Sequence, residues 1–207
     1  MLRLILVRHG RTAWNVLGRV QGGGPLDDVG RAQVSALAER LSREPISAVY
    51  SSPAARARET AGAIAERLGL PVRRSTLLRD LSYGRFAGAL LTDVEARYPG
   101  LLERWRASPH TVRFEGGESI AELRGRIVRF IARTHERHDG ETVLAATHDS
   151  PVRVAASLAL GLDDAQHTQE RLRTQMASVT ELRVDGQSME LTVHNEVGHL
   201  QGIDGGL

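Results

Sequence analysis

Residues 2–9, LRLILVRH, are an apolar run that ends in an arginine and a histidine. Residues 142–149, TVLAATHD, repeat this pattern and end in a histidine and an aspartate. Residues 46–52, ISAVYSS, are a third apolar run, and it ends in two serines. Short runs of Leu and β-branched residues are typical of strands that are buried on both faces. The sequence therefore predicts three buried strands, each followed by polar side chains.

Four further segments carry apolar residues at the spacing of an amphipathic helix: residues 27–43, 53–68, 119–137 and 151–161. Asp27 or Asp28 can cap the first of these helices. Pro53 suits the first turn of the second helix, and Gly69 ends it. These segments lie between and after the apolar runs, so that strands and helices alternate along the chain.

The remaining strand signals lie around Val72 and near the carboxyl terminus. Segments 178–184 and 188–193 flank Asp185-Gly186, which is a strong hairpin signal. Together with the alternation of strands and helices, this pattern predicts an α/β fold, a three-layer α/β/α sandwich whose mostly parallel sheet has an antiparallel edge strand. Such sheets bind ligands beyond the carboxyl ends of their parallel strands.

Residues 76–117 are less regular than the rest of the chain. A short helix is predicted at 92–98, where Pro99 stops it, and Gly116-Gly117 closes the region. We expect a single domain spanning residues 1–207, in which about 76–117 form a lid-like insertion that covers a site.

The composition narrows the classes of function. The chain has 207 residues and a net charge of +2, and all 27 of its basic residues are arginine. These arginines are scattered, so we expect no nucleic-acid partner. There is no cysteine, which excludes disulfides, thiolate nucleophiles and cysteine metal sites. The amino-terminal apolar run is too short for a signal peptide or a membrane span, and a cytoplasmic protein without a membrane partner is expected.

Three strand ends would bring titratable side chains to one edge of the sheet. Arg8-His9 follows the first strand, Arg56 lies just beyond the second, and His148-Asp149 follows the 142–147 strand. A neutral imidazole can attack phosphorus, while guanidinium groups and a second imidazolium hold the phosphoryl oxygens. A carboxylic acid can protonate the leaving oxygen. This set of residues therefore suits phosphoryl transfer.

Each of these residues also has a simpler interpretation. A histidine after a strand can be a turn residue, Arg56 and Arg58 can be solvent-facing helix charges, and Asp149 can be only an N-cap. His135 and His138 lie one helical turn apart, but without an acidic ligand pattern they are predicted to be a solvated helix face rather than a metal site.

The segment LVRHGRTAWN, residues 6–15, resembles the signature of the histidine phosphatase superfamily, which includes phosphoglycerate mutases and related phosphatases. Further blocks match in order along nearly the whole chain: RVQGGGPLDDVGR at 19–31, SSPAARARETA at 51–61, GGES at 116–119, THDSPVR at 147–153 and HNEVGHL at 194–200. An RHG tripeptide alone would be a weak signal, but the complete series is specific.

The resemblance implies a role for each matching residue. His9 would be the phosphorylated nucleophile, and Arg8, Arg56 and His148 would complete the phosphate pocket. Further substrate contacts are implied at Asn15, Gln21 and Gly22. Tyr83 is a candidate for a substrate contact at the cavity entrance, and its ring can equally pack the lid onto the core. The family needs no metal ion or other cofactor. Four other residues between 85 and 117 are candidates for substrate contacts or for packing of the lid: Arg85, Phe86, Trp105 and Arg113.

Three positions depart from the family pattern. Arg11 stands where a glutamate is usual and is expected to alter the charge at the substrate entrance. Asp80 stands where the family usually has a glutamate as proton donor, and its shorter side chain needs an inward loop or a raised pKa. Asp149 replaces a usual glycine and resembles the proton donor of the acid phosphatase branch. The matching block around Asp80 favours it, and Asp149 remains the alternative.

The compact chain, and a block after the acid that differs from the one in mutases, favour a phosphatase acting on a small phosphorylated metabolite. Two alternatives stay open: phosphoglycerate mutase-type transfer, and a regulatory domain that binds phosphate esters with weak turnover. The protein could also be a homodimer.

Overall fold

The computed structural model describes residues 1–21 and 23–203, and the strands found there form one six-stranded sheet. The strands are β1 (Leu2–Arg8), β2 (Ile46–Ser51), β3 (Val72–Arg74), β4 (Thr142–Thr147), β5 (Val179–Asp185) and β6 (Ser188–Glu196). Their order is β3-β2-β4-β1-β5-β6. β1 to β4 are parallel, whereas β5 runs antiparallel to both β1 and β6. The β5–β6 hairpin is therefore the antiparallel edge that the sequence predicts.

Helices cover both faces of the sheet. They are α1 (Ala13–Val16), α2 (Asp28–Leu41), α3 (Ala55–Leu68), α4 (Leu91–Arg97), α5 (Leu101–Ala107), α6 (Ile120–Arg137) and α7 (Asp149–Ala159). Apolar residues of α2 and α3 pack on one face, and those of α6 and α7 on the other. The predicted three-layer α/β/α sandwich is confirmed.

The two faces of β1 show why this strand organises the core. Leu2, Leu4 and Leu6 point to the face shared with α6 and α7, whereas Ile5 and Val7 point to the face shared with α2 and α3. All five side chains are buried. Side chains of a strand alternate between the two faces of a sheet, so an uninterrupted apolar run is what a central strand between two helical layers requires.

Several predicted boundaries differ from the structure by one to three residues, and three of them bear on the interpretation. Helix α3 begins at Ala55 and has an extended Ala54 as its N-cap, so Pro53 lies before the helix and not in its first turn. Helix α7 begins at Asp149, so His148 is its N-cap and the N-cap interpretation of Asp149 is also wrong. In the hairpin the turn falls on residues 186–187, because β5 extends through Asp185.

The irregular segment 76–117 lies on the face of the sheet that α6 and α7 cover. Several of its side chains belong to the core on that face: Leu78, Leu81, Phe86, Val94, Leu102, Val112 and Phe114. The predicted short helix is present as α4 and ends before Pro99. The sequence analysis missed α5, a seven-residue helix whose Leu102 is buried.

Within the described part of the chain, no helix combines the length and the apolar character that crossing a bilayer requires.

Candidate active site

The register of the central strands brings three polar segments to one edge of the sheet. Arg8 pairs with Thr147, so that β1 and β4 end side by side. Just beyond these ends, the His9 amide donates to the Thr147 carbonyl at 3.0 Å, and the Ser52 amide donates to the Ala146 carbonyl at 2.9 Å. The backbone ladder therefore extends one residue past each strand and holds the residues that follow in fixed positions.

Glycine at two positions lets the loop after β1 lie against helix α2. A Cβ on Gly10 would lie 2.7 Å from the carbonyl oxygen of Gly30, and a Cβ on Gly30 would overlap the carbonyl of Arg11. Such contacts exclude any larger side chain unless the backbone moves. The glycine of the RHG tripeptide thus has a packing function: it lets the chain turn sharply after His9.

His9 is held with one ring nitrogen available as a nucleophile. Its Nδ1 lies 2.7 Å from the Gly10 carbonyl oxygen, which can only accept, so Nδ1 carries the proton and Nε2 has the lone pair. Arg56 Nε donates to this Nε2 at 2.9 Å. Burial lowers the pKa of His9 well below its usual value, and the positive charges of Arg56 and Arg8 lower it further. The imidazole is therefore neutral, as a nucleophile must be.

His148 faces His9, with the two ring centroids 5.2 Å apart. Its Nε2 lies 2.8 Å from Ser52 Oγ, while its buried Nδ1 has no partner among the described residues. Burial, Arg56 and His9 together lower the pKa of His148 well below its usual value. Burial and the two neighbouring guanidinium groups therefore favour the neutral ring in the absence of an anion, and the imidazolium that holds a bound phosphoryl group stays a prediction.

The two arginines have different surroundings. Arg56 lies between His9 and Asp80, with its terminal nitrogen 3.5 Å from Asp80 Oδ2. Arg8 donates to the Thr174 carbonyl and lies 3.6 Å from Asp149 Oδ1, while its buried Nε has no partner among the described residues. A buried N–H without an acceptor costs free energy. A bound phosphoryl group would supply an acceptor for Arg8 Nε, and for His148 Nδ1 in the tautomer that carries its proton there.

Asp80 lies beside Arg56 and His148. Its Oδ2 is 3.9 Å from His148 Nδ1 and its side chain is 13% exposed. Burial raises the pKa of Asp80 to about 6, although Arg56 opposes this shift. The segment that carries it is fixed by the buried Arg126, whose guanidinium donates to the carbonyl oxygens of Leu77, Arg79 and Asp80 and pairs with Glu118. The sequence analysis did not identify this arginine.

Asp149 has a different environment. One of its carboxylate oxygens accepts from Thr174 Oγ1 at 2.7 Å, and the other accepts from Arg153 Nε at 2.7 Å. Burial alone would raise the pKa of Asp149, but Arg8 and Arg153 outweigh burial and lower it. This carboxylate is therefore held in the charged form and orients Arg8.

Arg56, Asp80 and His148 open onto a cavity of about 430 Å³, while the buried His9 lies behind Arg56 and His148. The lining of the cavity is Trp14, Gln21, Ser52, Pro53, Ala54, Arg56, Arg79, Asp80, Ala87 and His148. Gln21 has a left-handed backbone with φ of 56°, a conformation that a non-glycine residue rarely adopts. Trp14 and Arg79 also line the cavity. Neither was predicted as a site residue, although Trp14 lies in the segment LVRHGRTAWN and Arg79 directly precedes Asp80.

The other predicted substrate contacts are placed as follows. Gln21 lines the cavity, and Gly22 lies outside the described residues. Asn15 forms a capping box with Thr12 at the start of α1. Tyr83 lines two neighbouring cavities and packs 4.8 Å from the Phe114 ring, between centroids. Contacts from Asn15 and Tyr83 to a substrate stay predictions.

Four more candidates lie in the lid-like segment. The arginines among them form ion pairs, Arg85 with Glu115 at 2.6 Å and Arg113 with Glu122 at 2.7 Å. Phe86 and Trp105 pack against Phe114.

The prediction of a solvated helix face at His135 and His138 is wrong for His138. This residue is the C-cap of α6 and is only 6% exposed. Its Nδ1 lies 2.8 Å from Glu141, and its Nε2 lies 3.0 Å from the Tyr50 hydroxyl. The helix ends at this point, so the ring can turn inward to these partners. Across residues 1–21 and 23–203, no group of three or more acidic or histidine side chains could hold a metal ion.

Comparison with known proteins gives a consistent result. The sequence model of the histidine phosphatase superfamily, branch 1, matches residues 4–197. Phosphoserine phosphatase 1 of Hydrogenobacter thermophilus is 38% identical over 165 residues, which cover 79% of this chain and 78% of that protein. The metal-independent phosphoserine phosphatase of Arabidopsis thaliana is 31% identical over 206 residues, covering 97% and 84%. The solved structure of Bacillus stearothermophilus YhfR has a TM-score of 0.92 at 28% identity, covering 97% of this chain and all of that one.

Proposed function

The chain belongs to the histidine phosphatase superfamily, and we propose that it hydrolyses small phosphate monoesters through a phosphohistidine formed at His9. Its family and the named activities of its relatives make it a metal-independent phosphoric monoester hydrolase that acts on small molecules. The observation that carries the His9 assignment is the state of its ring: a neutral imidazole whose Nε2 lone pair faces Arg56 and His148.

In the first step, the phosphoryl group of the substrate binds between the two arginines and His148. Arg56 Nε turns from His9 Nε2 to a phosphoryl oxygen, which frees the lone pair for attack on phosphorus. The N–P bond forms as the P–O bond to the leaving alcohol breaks, and the protonated Asp80 gives its proton to the leaving oxygen. The guanidinium groups of Arg8 and Arg56 stabilise the charge on the equatorial oxygens.

In the second step, water attacks the phosphorus from the side that the alcohol has left. The Asp80 carboxylate accepts the proton of this water, the N–P bond breaks, and its electron pair returns to His9 Nε2. Orthophosphate leaves, and the enzyme is restored with Asp80 protonated. A single carboxyl group can serve as acid and then as base when its pKa lies near the working pH, and the raised pKa of Asp80 supports this role.

The roles of the two competing aspartates follow from their partners. Asp149 has its carboxylate oxygens occupied by Thr174 and Arg153, and its pKa is lowered, so it is poorly suited to carry a proton. We assign it to the orientation of Arg8. Asp80 is assigned as the proton donor, which extends the preference that its sequence block indicated.

The lid-like segment 76–117 is proposed to cover the site. It supplies Arg79, Asp80 and Ala87 to the cavity, which supports this interpretation.

A cytoplasmic location is proposed as well, since the chain lacks the cysteines of the disulfide frameworks common in exported domains.

Hydrolysis of p-nitrophenyl phosphate tests the core of the proposal. We expect turnover that EDTA does not change and that His9→Ala abolishes. The matched control is His110→Ala, which removes an exposed histidine of the lid-like segment. Turnover that persists in His9→Ala, or that is absent from the wild type over a broad pH range, would contradict the proposal.

A second assay separates hydrolysis from transfer. Phosphoserine and 3-phosphoglycerate are supplied, and both free orthophosphate and positional isomers of phosphoglycerate are measured. The phosphatase function predicts orthophosphate as the main product, and the named activity of two relatives makes phosphoserine the first substrate to try. Isomerisation with little free phosphate would instead indicate a mutase.

A further inference from the structure

Arg79 is the one charged residue in the described lining of the catalytic cavity that the phosphoryl chemistry leaves unused. The other charged or titratable residues of that lining are Arg56, Asp80 and His148, and each has a role at the phosphoryl group. The rest of the lining is uncharged: Trp14, Gln21, Ser52, Pro53, Ala54 and Ala87. Beyond the phosphate site, therefore, the cavity carries a single positive charge.

The guanidinium group of Arg79 is exposed at the cavity and has no side-chain partner in residues 1–21 and 23–203. Other exposed arginines of the described residues also lack an ion pair, among them Arg58, Arg74 and Arg97, but none of these three lines the cavity. The nearby carboxyl groups have other ion-pair partners: Asp80 pairs with Arg56, and Glu118, whose charge also interacts with that of Arg79, pairs with Arg126. Arg79 is thus free to bind an anionic group.

The backbone of Arg79 is fixed although its side chain is free. The buried Arg126 donates to the Arg79 carbonyl oxygen at 3.0 Å and to the Asp80 carbonyl oxygen at 3.1 Å. Both lining residues therefore extend from one anchored stretch of chain. Asp80 must meet the oxygen that joins phosphorus to the leaving alcohol, so the neighbouring side chain lies beside the body of that alcohol.

We propose that Arg79 selects substrates whose leaving alcohol carries a second negative charge, above all a carboxylate. A guanidinium group binds a carboxylate through two parallel N–H···O bonds, which fixes the orientation of the ester as well as adding affinity. This inference rests on the proposed phosphatase function and specifies its substrate class. Arg79 is then a specificity-determining residue and takes no part in the transfer of the phosphoryl group.

A matched pair of esters tests this proposal. 3-Phosphoglycerate and glycerol 3-phosphate share the phosphoryl group and the three-carbon frame, and differ by a carboxylate in place of a hydroxymethyl group. We expect wild-type kcat/KM to favour 3-phosphoglycerate about tenfold, the effect of one charge-assisted contact in a partly exposed site. Arg79→Gln should remove this preference by lowering kcat/KM for 3-phosphoglycerate alone. Arg79→Lys should restore part of the preference, since it keeps the charge but not the paired donors.

The control variant is Arg137→Gln, which removes the same charge from an exposed position at the end of α6, before the amino end of β4. This variant should leave kcat/KM unchanged for both esters. An equal loss for both esters in Arg79→Gln would overturn the proposal, because it would place Arg79 in the general phosphate chemistry. An unchanged preference in Arg79→Gln would overturn it as well.

Failure of the proposed function has a different signature, namely a wild type that hydrolyses neither ester. Calorimetric binding then still decides the role of Arg79. We expect Arg79→Gln to weaken the binding of 3-phosphoglycerate about tenfold and to leave the binding of inorganic phosphate unchanged. Equal binding of 3-phosphoglycerate by both proteins would contradict the proposal whether or not the chain is a phosphatase.

Discussion

Two carboxyl groups lie on either side of the proposed phosphate site, and their surroundings differ. Asp80 extends from an anchored irregular segment, is 13% exposed and accepts from the Leu81 amide at 3.0 Å, while its contact with the Arg56 guanidinium group is long, at 3.5 Å. Asp149 begins a helix and accepts hydrogen bonds from Thr174 and Arg153 at 2.7 Å each. Burial therefore prevails at Asp80 and raises its pKa to about 6, whereas ion pairs prevail at Asp149 and lower its pKa. The comparison shows that the role of a carboxyl group follows from its partners rather than from its distance along the chain to a catalytic histidine.

The largest expected effect is that of Asp80→Asn on an ester with a poor leaving group. Without an acid to protonate the alkoxide, kcat should fall by about 10²–10⁴ for an alkyl phosphate such as phosphoserine. The first step with p-nitrophenyl phosphate should change little, because nitrophenolate leaves without a proton. Steady-state rates on both esters, with burst kinetics for the second, measure this difference. A loss of the same size in the burst rate would argue that Asp80 does something other than donate a proton.

Asp149→Asn should have a smaller effect that does not depend on the leaving group. The variant weakens the contact that orients Arg8, so kcat/KM should fall about tenfold for alkyl and aryl phosphates alike. Steady-state kcat/KM values for phosphoserine and p-nitrophenyl phosphate measure this effect. If Asp149→Asn instead loses rate only with the alkyl ester, the assignment of the two aspartates must be exchanged.

The pH dependence of the wild type should report Asp80. The kcat/KM for an alkyl phosphate should decline as the pH rises through about 6, because the free enzyme then loses the proton that the leaving group needs. Titration of His9 should not change kcat/KM near pH 6, since the pKa of His9 is lowered and its ring is already neutral at that pH. In Asp80→Asn, the residual kcat/KM should no longer fall as the pH rises through about 6. If kcat/KM still falls there in this variant, a group other than Asp80 causes the fall.

The smallest expected effect is on stability, and it has opposite signs at the two aspartates. Asp80 has a raised native pKa, so the folded state binds its proton more tightly and ionisation at higher pH destabilises the fold. Asp80→Asn should therefore melt a few degrees above the wild type at pH 8, with a smaller difference at pH 4. Asp149 has a lowered pKa, so its contribution is present at neutral pH and is lost in acid. Asp149→Asn should melt below the wild type at pH 8.

The sequence predicted much of this site because strand ends are easy to recognise. The apolar runs before His9 and His148 placed both histidines at one edge of the sheet, and the parallel register of β1 and β4 brings them together. A buried strand with two covered faces leaves a strong pattern in a single sequence. The fold class could be predicted for the same reason.

The partners of each side chain could not be predicted in this way. Thr174 donates a hydrogen bond to Asp149 from 25 residues away, and Arg126 fixes the backbone of Asp80 from 46 residues away. Neither residue belongs to a pattern that marks it, because tertiary packing alone creates these contacts. His138 was misjudged for a related reason: the helical spacing that placed it on a solvated face stops applying where α6 ends.

Trapping of the phosphoenzyme tests the central claim most directly. Asp80→Asn should form the phosphohistidine from p-nitrophenyl phosphate but hydrolyse it slowly, because no base activates the attacking water. Acid-labile, alkali-stable phosphate should accumulate on the peptide that contains His9, as mass spectrometry can show, and it should not accumulate in Asp149→Asn. Phosphate on another residue, or accumulation in Asp149→Asn but not in Asp80→Asn, would contradict the account.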